Sequence, residues 1–319
     1  RKQEGAAMFS KLVAVEPVNL TLEARERLSD FAQTVVYYDT LPEGDADLIE
    51  RIGQADAVLV SYTTEIDDAV LRAAPNLRYV GMCCSLYSEE SANVDIATAR
   101  KLGITVTGVR DYGDTGVVEF VISELVRYLH GFGKAQWRPG EQREIASLDC
   151  GVIGMGTTGS HIAEALRFFG ASVCYYSRTR KPAMEERGFP YRPLSELLEG
   201  SDAVFTCLNK GVVLLGDKEF ELLGRGKMLF NTSIAPGHDG GALERWLDLG
   251  AAAESAGGYA NAFFCDTEAA LGSPVQTARL LSSPYVHCVR KSAGSTAEAK
   301  VRLGRKVLAN IAAYLERAE

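Results

Sequence analysis

The sequence lacks any long uninterrupted run of apolar residues. No stretch approaches the ~18 residues that a helix needs to cross a bilayer, so a membrane protein is excluded. Basic residues are also in deficit, because 34 Lys and Arg face 42 Asp and Glu and the net charge is −8. A nucleic-acid-binding protein usually shows a basic excess or a basic stripe. We therefore expect neither a membrane nor a nucleic acid as a partner.

Histidines and paired cysteine motifs are scarce. The four histidines are scattered without metal-ligand spacing, so we expect no metal site. The seven cysteines are odd in number and include no CxxC pair. Most of them stand in apolar runs, which predicts buried free thiols in a reducing, cytoplasmic compartment. The GxSxG, HExxH and Walker A patterns are absent too, which leaves hydrolase and nucleoside-triphosphatase functions without support.

The length of 319 residues predicts about two domains, at roughly 150 residues each. The segment from Arg1 to Ala7 is polar and lacks the apolar core of a secretion signal. It is open whether this segment is native or a remnant added ahead of Met8.

Short β-rich runs alternate with amphipathic segments along the whole chain, which predicts an α/β protein with two doubly wound parallel sheets. The strands lack in/out alternation, as expected when both faces of a sheet are covered. The predicted strands are 12–15, 34–39, 57–62, 77–84, 104–109, 150–156, 172–178, 203–208, 228–233 and 285–289. The predicted helices are 21–32, 47–55, 67–74, 93–103, 117–133, 158–169 and 296–317. The polar stretch 134–144 is the best linker candidate, and the Gly- and Ala-rich stretch 250–262 indicates a close-packed or irregular segment.

Residues 154–159 read GMGTTG, a complete GxGxxG between a predicted strand and a predicted helix. In that context the first glycine allows a tight turn, the second lets the backbone approach a pyrophosphate, and the third lets helix and strand pack. The free N–H groups of the helix N-terminus then face the phosphates. The predicted dinucleotide contacts are Gly154, Met155, Gly156, Thr157, Thr158 and Gly159.

The residues that end the next strand indicate which dinucleotide is bound. Ser177 lies 18 residues after Gly159 (177 − 159), where an NAD site usually carries Asp or Glu for the ribose hydroxyls. Here the sequence continues with Arg178, Thr179, Arg180 and Lys181. Arginine forms forked, charge-assisted hydrogen bonds to phosphate. The sequence therefore favours NADP(H) over NAD(H).

With these motifs in place, the chain resembles the D-isomer-specific 2-hydroxyacid dehydrogenase family. The similarity rests on PNLRYVGM, NVDIATARKLGITVTGV, VVEF, the Gly-motif segment through SRTR, SDAVF, GKMLFNTS and AGSTAEA, in that order. The SRTRK segment resembles the NADP-using glyoxylate and hydroxypyruvate reductases of the family.

The resemblance implies a flavodoxin-like substrate domain from residues 1–116 plus 296–319. It also implies an NAD(P)-binding Rossmann domain over 117–295, a cleft between the two, and homodimers built through the cofactor domain.

The family uses an Arg, a His and a Glu for catalysis, and the chain departs from this set. Ile234 stands at the Arg position and Lys291 at the His position, while the acid falls at Asp266, or at Phe263 if no gap is allowed. A substrate pocket is implied around Tyr87 and His238. Further cofactor contacts are implied at Cys207, Leu208, Asn209, Thr232, Ser233, Ile234, Asn261 and Gly294.

Two hypotheses follow from the altered set. In the first, the protein is an oxidoreductase in which Lys291, paired with Asp266, transfers the proton while hydride passes to a carbonyl or an imine. A substrate carboxylate would then be bound by Arg290, Lys210 or Lys291. In the second, the protein binds NAD(P) without catalysis, as a sensor or partner subunit. The substrate and the direction of reaction stay open.

Overall fold

The computed structural model describes residues 8–317, so the question about the segment before Met8 lies outside the described residues. The chain divides into two compact units. The first runs to Tyr112 and resumes at Ser295, and the second is Gly113–Gly294. The sequence predicted these divisions at 116/117 and 295/296. Both units are α/β with entirely parallel sheets, which confirms the predicted fold class.

The first unit is built on a five-stranded sheet with the order β2-β1-β3-β4-β5. Its elements are β1 Phe9–Ala14, α1 Leu22–Arg27, β2 Ala32–Tyr37, α2 Asp45–Ile52, β3 Ala57–Val60, α3 Asp68–Ala73, β4 Tyr79–Ser85, α4 Ile96–Lys101 and β5 Thr105–Val109. Leu12 and Ala14 of β1 lie in one apolar cluster, and Val13 lies in the other. Both faces are therefore buried, which explains why the strands show no polar alternation. The strand order is that of flavodoxin-like folds.

The second unit is built on a six-stranded sheet with the order β11-β10-β9-β8-β6-β7. Its elements are α5 Asp114–His130, β6 Asp149–Ile153, α6 Thr157–Phe168, β7 Ser172–Tyr176, α7 Pro182–Glu186, α8 Leu194–Gly200, β8 Ala203–Thr206, α9 Asp217–Leu223, β9 Met228–Asn231, α10 Gly240–Ser255, β10 Ala262–Cys265, α11 Pro274–Ser282 and β11 Val286–Cys288. The order in which the chain adds strands to the sheet changes sides at β6. Strand β7 is added on one side of β6, and β8 is added on the other side. Doubly wound sheets bind ligands beyond the carboxyl ends of their strands at such a point.

The last helix, α12 Ala297–Arg317, packs in the first unit. Its buried residues Leu303, Val307 and Ile311 belong to the apolar cluster that contains Leu12 of β1. Gly304 lies where α12 meets α1, and a Cβ there would be 2.7 Å from the Ala24 Cβ. Among the helices within residues 8–317, none combines the length and apolar character that a membrane crossing requires.

The Gly- and Ala-rich stretch 250–262 was predicted as close-packed or irregular. It continues α10 as far as Ser255, because alanine has the highest helix propensity, and it is close-packed at Gly250, where a Cβ would lie 2.3 Å from the Asn261 nitrogen. Strand β10, Ala262–Cys265, was not predicted, although Asn261 and Asp266 flank its four apolar residues AFFC. The long helix was predicted over 117–133 and runs from Asp114 to His130. It ends because Gly131 adopts the left-handed conformation with φ 70°.

Candidate functional site

The glycine loop joins β6 to α6 and has two positions that admit no side chain. At Gly154, φ is +99° and a Cβ would lie 2.3 Å from the Cys207 carbonyl oxygen. At Gly159, a Cβ would lie 2.0 Å from the Gly154 carbonyl oxygen. These two glycines let β8 and α6 pack tightly against the loop, as the motif requires.

Gly156 differs from both, because a Cβ at this position would meet no atom within 4 Å. Its own backbone is ordinary for other residues, at φ −85°. Helix α6 starts at the next residue, Thr157, and no side chain among residues 8–317 caps its first N–H groups. The start of α6 therefore offers uncapped N–H groups at a positive helix end beside the open space at Gly156, which fits a pyrophosphate.

Two side chains hold this loop in place. The Ser177 hydroxyl accepts a hydrogen bond from the Met155 N–H at 2.8 Å. Ser177, predicted as a ribose contact, thus supports the glycine loop. On the other side, the Thr158 hydroxyl donates to the carboxylate of Asp114, the first residue of α5. Asp114 was not among the predicted site residues, because no local motif marks it.

The two arginines after β7 have different surroundings. Arg180 forms an ion pair with Glu185, and its guanidinium lies 5.2 Å from the Tyr191 ring centroid. Arg178 is exposed and makes no hydrogen bond or ion pair within the described part of the chain. Thr179 and Lys181 are exposed as well. Of the two arginines in this turn, Arg178 is therefore the one whose guanidinium has no partner among the described residues.

The carboxyl ends of β8 and β9 are joined by hydroxyl groups. The Ser233 hydroxyl accepts from the Leu208 N–H at 2.8 Å. The Thr232 hydroxyl donates to the Thr206 carbonyl at 2.9 Å and lies 3.2 Å from the Cys207 sulfur. The structure thus brings Cys207, Leu208, Thr232 and Ser233 together at the strand edge that also carries the glycine loop.

Asn231 was not among the predicted site residues, although it organises this edge. It is fully buried, and its amide donates to the carbonyls of Ser233 and Ala235. Its carbonyl oxygen accepts from the Thr206 hydroxyl at 2.8 Å and from the Gly237 N–H at 3.3 Å. The signal was present in the sequence, since a buried polar residue at the end of an apolar strand has to find partners.

Asp266 and Lys291 are neighbours through the backbone. The Lys291 N–H donates to the Asp266 carbonyl at 2.8 Å, and the Ala293 N–H donates to the Asp266 carboxylate at 2.9 Å. Burial raises the pKa of Asp266, although hydrogen bonds to its carboxylate, chiefly from the backbone N–H groups of Ala293 and Thr267, act against that rise. Between the described residues, the two side chains form no ion pair, so the predicted side-chain pairing is corrected to a backbone one. The Lys291 side chain is exposed within its own unit.

The other candidate residues at this edge of the sheet differ in their exposure and in whether a neighbouring side chain already binds them. Ile234 is 57% exposed, so the aliphatic side chain at the expected arginine position faces out from the second unit. Asn209 and Lys210 are exposed in the short loop after β8. Arg290 is already paired with Glu268, at 2.9 Å, which makes it a weak candidate for a carboxylate. Gly294 lies against Gly113, where an added Cβ would be 2.7 Å from the Gly294 carbonyl oxygen.

Two predicted site residues are placed elsewhere. Asn261 precedes β10, so it lies at the amino end of the sheet, opposite the glycine loop. It is fully buried, donates to the Trp246 carbonyl at 2.6 Å and accepts from the Lys227 N–H. His238 is only 2% exposed and packs edge-on against Phe263 at 5.0 Å. Burial lowers the pKa of His238 to about 4, so it is a neutral core residue at neutral pH.

Tyr87 belongs to the first unit, in the segment after β4. It is 40% exposed, and the Arg110 guanidinium lies 5.5 Å from its ring centroid and donates to its carbonyl. Tyr87 is thus the one predicted pocket residue outside Gly113–Gly294. Within residues 8–317, no three His, Cys, Asp or Glu side chains are grouped to hold a metal ion.

Comparison with known proteins places the chain in a family. The profile described as D-isomer specific 2-hydroxyacid dehydrogenase, catalytic domain, matches residues 12–319. A glyoxylate reductase of Aeropyrum pernix is 30% identical over 248 residues, covering 72% of this chain and 73% of that protein. A hydroxypyruvate reductase of Blautia hydrogenotrophica is 28% identical over 192 residues, covering 56% of this chain and 58% of that protein.

Solved structures share the fold at lower identity. An acyclic imino acid reductase, Bsp5, in complex with NADPH and D-Arg superposes with a TM-score of 0.78 at 19% identity, covering 96% of this chain and 97% of that one. The apo structure of D-lactate dehydrogenase from Escherichia coli gives 0.74 at 21% identity, covering 97% and 98%. These likenesses concern the fold of the two units.

Proposed function

Because the chain belongs to the D-isomer specific 2-hydroxyacid dehydrogenase family, whose members are oxidoreductases acting on CH–OH groups, we propose that it transfers hydride between NADP(H) and the carbonyl carbon of a small substrate. The observation that carries this proposal is the meeting of three features at one sheet edge. These are the open glycine loop, the hydroxyl-lined ends of β8 and β9, and the half-buried carboxyl of Asp266.

The residues at the glycine loop fit a dinucleotide. The unpaired N–H groups at the start of α6 would bind the pyrophosphate, and the open space at Gly156 would admit it closely. The chain beyond β8 and β9, at Leu208 and Thr232, would line the nicotinamide side. When bound, a nicotinamide cofactor supplies or accepts a hydride, and the protein supplies binding and orientation.

The preference for NADP(H) rests on Arg178. Its guanidinium is exposed and unpaired within the described residues, at the turn where a ribose 2′-phosphate is expected. No carboxylate stands at Ser177 to repel that phosphate. The charge of Arg180 is largely neutralised by its ion pair with Glu185, so Arg180 contributes less to this preference.

Proton transfer falls to Lys291 under this proposal. The ammonium donates a proton to the substrate oxygen during reduction and takes it back during oxidation. Asp266 acts through the backbone, because its carbonyl oxygen holds the Lys291 N–H and its carboxyl holds the Ala293 N–H. Asp266 is therefore a positioning residue, and its raised pKa lets it keep a proton to higher pH than an exposed Asp.

The substrate is constrained by Ile234. With an exposed aliphatic side chain in place of an arginine, a 2-keto acid would need another cation for its carboxylate. Lys210 and Lys291 are the exposed candidates, since Arg290 is engaged with Glu268. A substrate without that carboxylate, such as an aldehyde or an imine, needs no such cation.

The test has two stages. NADPH fluorescence is titrated first, and failure to bind would refute the proposal at once. Turnover is then screened with 2-keto acids, aldehydes and imines. We expect Lys291→Ala to abolish turnover while NADPH affinity is kept, and Lys218→Ala, an exposed lysine of α9, to behave as wild type. Normal turnover of Lys291→Ala would remove Lys291 from the mechanism. NADPH binding without turnover across the panel would favour a non-catalytic cofactor-binding protein.

We also propose a homodimer formed through the second unit. Phe168 at the end of α6 is 85% exposed, and Phe132 just after α5 is 67% exposed. Large exposed aromatic side chains of this kind are enriched at interfaces. Sedimentation equilibrium should show a dimer that Phe168→Glu weakens, and a monomeric wild type would contradict the proposal.

A further inference from the structure

Two cysteines face each other across neighbouring strands of the second unit. In the parallel pair β10 and β11, Cys265 is the register partner of Cys288. Adjacent strands lie about 4.8 Å apart, which is within the Cα separation that a disulfide spans. Both sulfurs lie on the face that carries the Trp246 cluster, whereas the preceding pair, Phe264 and His287, stacks on the opposite face with ring centroids 4.6 Å apart.

Neither cysteine is in a disulfide, and the two thiols differ in burial and in pKa. Cys265 is fully buried, and Cys288 is half-buried on the edge strand. A hydrogen bond from the Cys265 thiol lowers the pKa of Cys288 to about 7, and that same hydrogen bond together with burial raises the pKa of Cys265. Near neutral pH, Cys288 is therefore partly a thiolate, the form that reacts with oxidants, and Cys265 holds the proton.

We propose that Cys265 and Cys288 form a reversible disulfide when a peroxide oxidises the protein. The Cys288 sulfur attacks one peroxide oxygen, the O–O bond breaks, and a sulfenic acid and one water are formed. The Cys265 sulfur then attacks the Cys288 sulfur, the S–O bond breaks, and the oxygen leaves as a second water. Overall, two thiols lose two electrons and two protons, and the peroxide is reduced to two waters.

The bridge would form beside the candidate catalytic residues. Asp266 follows Cys265 directly, and the Val289 N–H after Cys288 donates to the Cys265 carbonyl at 3.2 Å. The next hydrogen bond between the segments that follow β10 and β11 is that from the Lys291 N–H to the Asp266 carbonyl. Disulfide formation itself does not depend on the proposed function, but an effect on turnover through Asp266 and Lys291 rests on it.

The experiment uses the full chain, treated with hydrogen peroxide at neutral pH, alkylated, digested and examined by mass spectrometry. We expect the peptides that contain Cys265 and Cys288 to be joined, with a mass lower by two hydrogens, and to separate after treatment with dithiothreitol. The joined species should disappear in Cys288→Ser and persist in Cys174→Ser, a matched half-buried cysteine of the same unit. Oxidation of Cys288 to sulfinic acid with no joined peptide in the wild type would overturn the proposal.

A second measurement needs no variant. Alkylation of Cys288 by iodoacetamide should set in at a lower pH than alkylation of Cys174, because the hydrogen bond from Cys265 lowers the pKa of Cys288 and burial raises the pKa of Cys174. Equal pH profiles for Cys288 and Cys174 would show that the pKa of Cys288 is not lowered, and so would contradict its assignment as the thiol that reacts first with peroxide.

Turnover separates this inference from the proposed function. If both hold, peroxide lowers turnover, dithiothreitol restores it, and Cys288→Ser abolishes the sensitivity. A mapped disulfide in a protein whose reduced form turns over no substrate would refute the proposed function and leave the redox pair standing. A mapped disulfide with unchanged turnover would refute the link to Asp266 and Lys291.

Discussion

At the scale of single residues, side chains of the same type have different contacts in this protein because their neighbours differ. Arg178 and Arg180 are two positions apart and were predicted to share one role. The structure ties Arg180 to Glu185 and leaves Arg178 without a partner among the described residues. A sequence supplies the charges of such a turn, but only the fold decides which charge is already neutralised.

Replacing Arg178 by Ala should weaken NADPH binding about tenfold, which corresponds to about 1.4 kcal/mol, because a charge-assisted hydrogen bond to phosphate is lost. Arg180→Ala should have a smaller effect, since its guanidinium is engaged by Glu185. NADH affinity should change little in either variant, because NADH has no 2′-phosphate. Fluorescence titrations with both cofactors measure these ratios, and equal losses for NADPH and NADH would contradict the assignment.

His287 should make the protein sensitive to acid. Burial, aided by the charge of Arg127, lowers its pKa in the folded protein to about 4 from 6.5. The unfolded chain therefore binds the extra proton first as pH falls below 6.5, and stability is lost between there and about pH 4. From this residue alone, the loss by about pH 5 is about 2 kcal/mol.

His287→Phe keeps a ring against Phe264 and removes the titration. Urea unfolding at about pH 7.5 and about pH 5 should show a smaller acid loss in this variant than in the wild type. The pKa of His238 is lowered in the same way, so His238 also contributes to the acid loss, which should shrink without vanishing. An unchanged acid loss in His287→Phe would show that this histidine is not buried in its neutral form.

At the scale of elements, the strand–loop–helix around the glycine motif was predicted well, because its turn chemistry and periodicity are local. The three glycines of this motif nevertheless have different structural roles. Gly154 and Gly159 are required by packing within the protein, and Gly156 faces open space. Strand β10 was not predicted, and the structure defines it by its pairing with β9 and β11.

Gly156→Ala should fold as the wild type does and bind NADPH far more weakly, because its methyl group would enter the space expected for the pyrophosphate. Gly159→Ala should instead destabilise the protein by about 1–3 kcal/mol, because its methyl group would meet the Gly154 carbonyl. Thermal unfolding and NADPH titration of both variants separate the two roles. Normal NADPH affinity in Gly156→Ala would refute the position assigned to the cofactor.

At the scale of the whole molecule, the chain order does not match the order of the units. Helix α12 is last in sequence and packs in the first unit, with Leu303, Val307 and Ile311 in the cluster built on β1. Periodicity predicted the helix, but the expectation that it returns to the N-terminal part came from the resemblance. Nothing in a local pattern states which of two apolar sheets a helix covers.

Ile311→Ala should destabilise the first unit by about 2–5 kcal/mol, the usual cost of a cavity at a fully buried isoleucine. The exposed Glu316→Ala on the same helix serves as the matched control. Hydrogen exchange should show lost protection in β1, β4 and β5, with Gly113–Gly294 little changed. An equal loss in both units would contradict the division.

The sequence by itself determined the alternation of strands and helices, the glycine loop and the basic turn after β7. These features depend on residues that are close together in the sequence, so that periodicity, turn-forming residues and charge predict them. Only the tertiary structure decided that Asn261 lies at the wrong end of its strand and that His238 is core. It also decided that Asp266 reaches Lys291 through the backbone and that Cys265 faces Cys288. Strand register and burial arise from contacts between distant segments, and no local pattern encodes them.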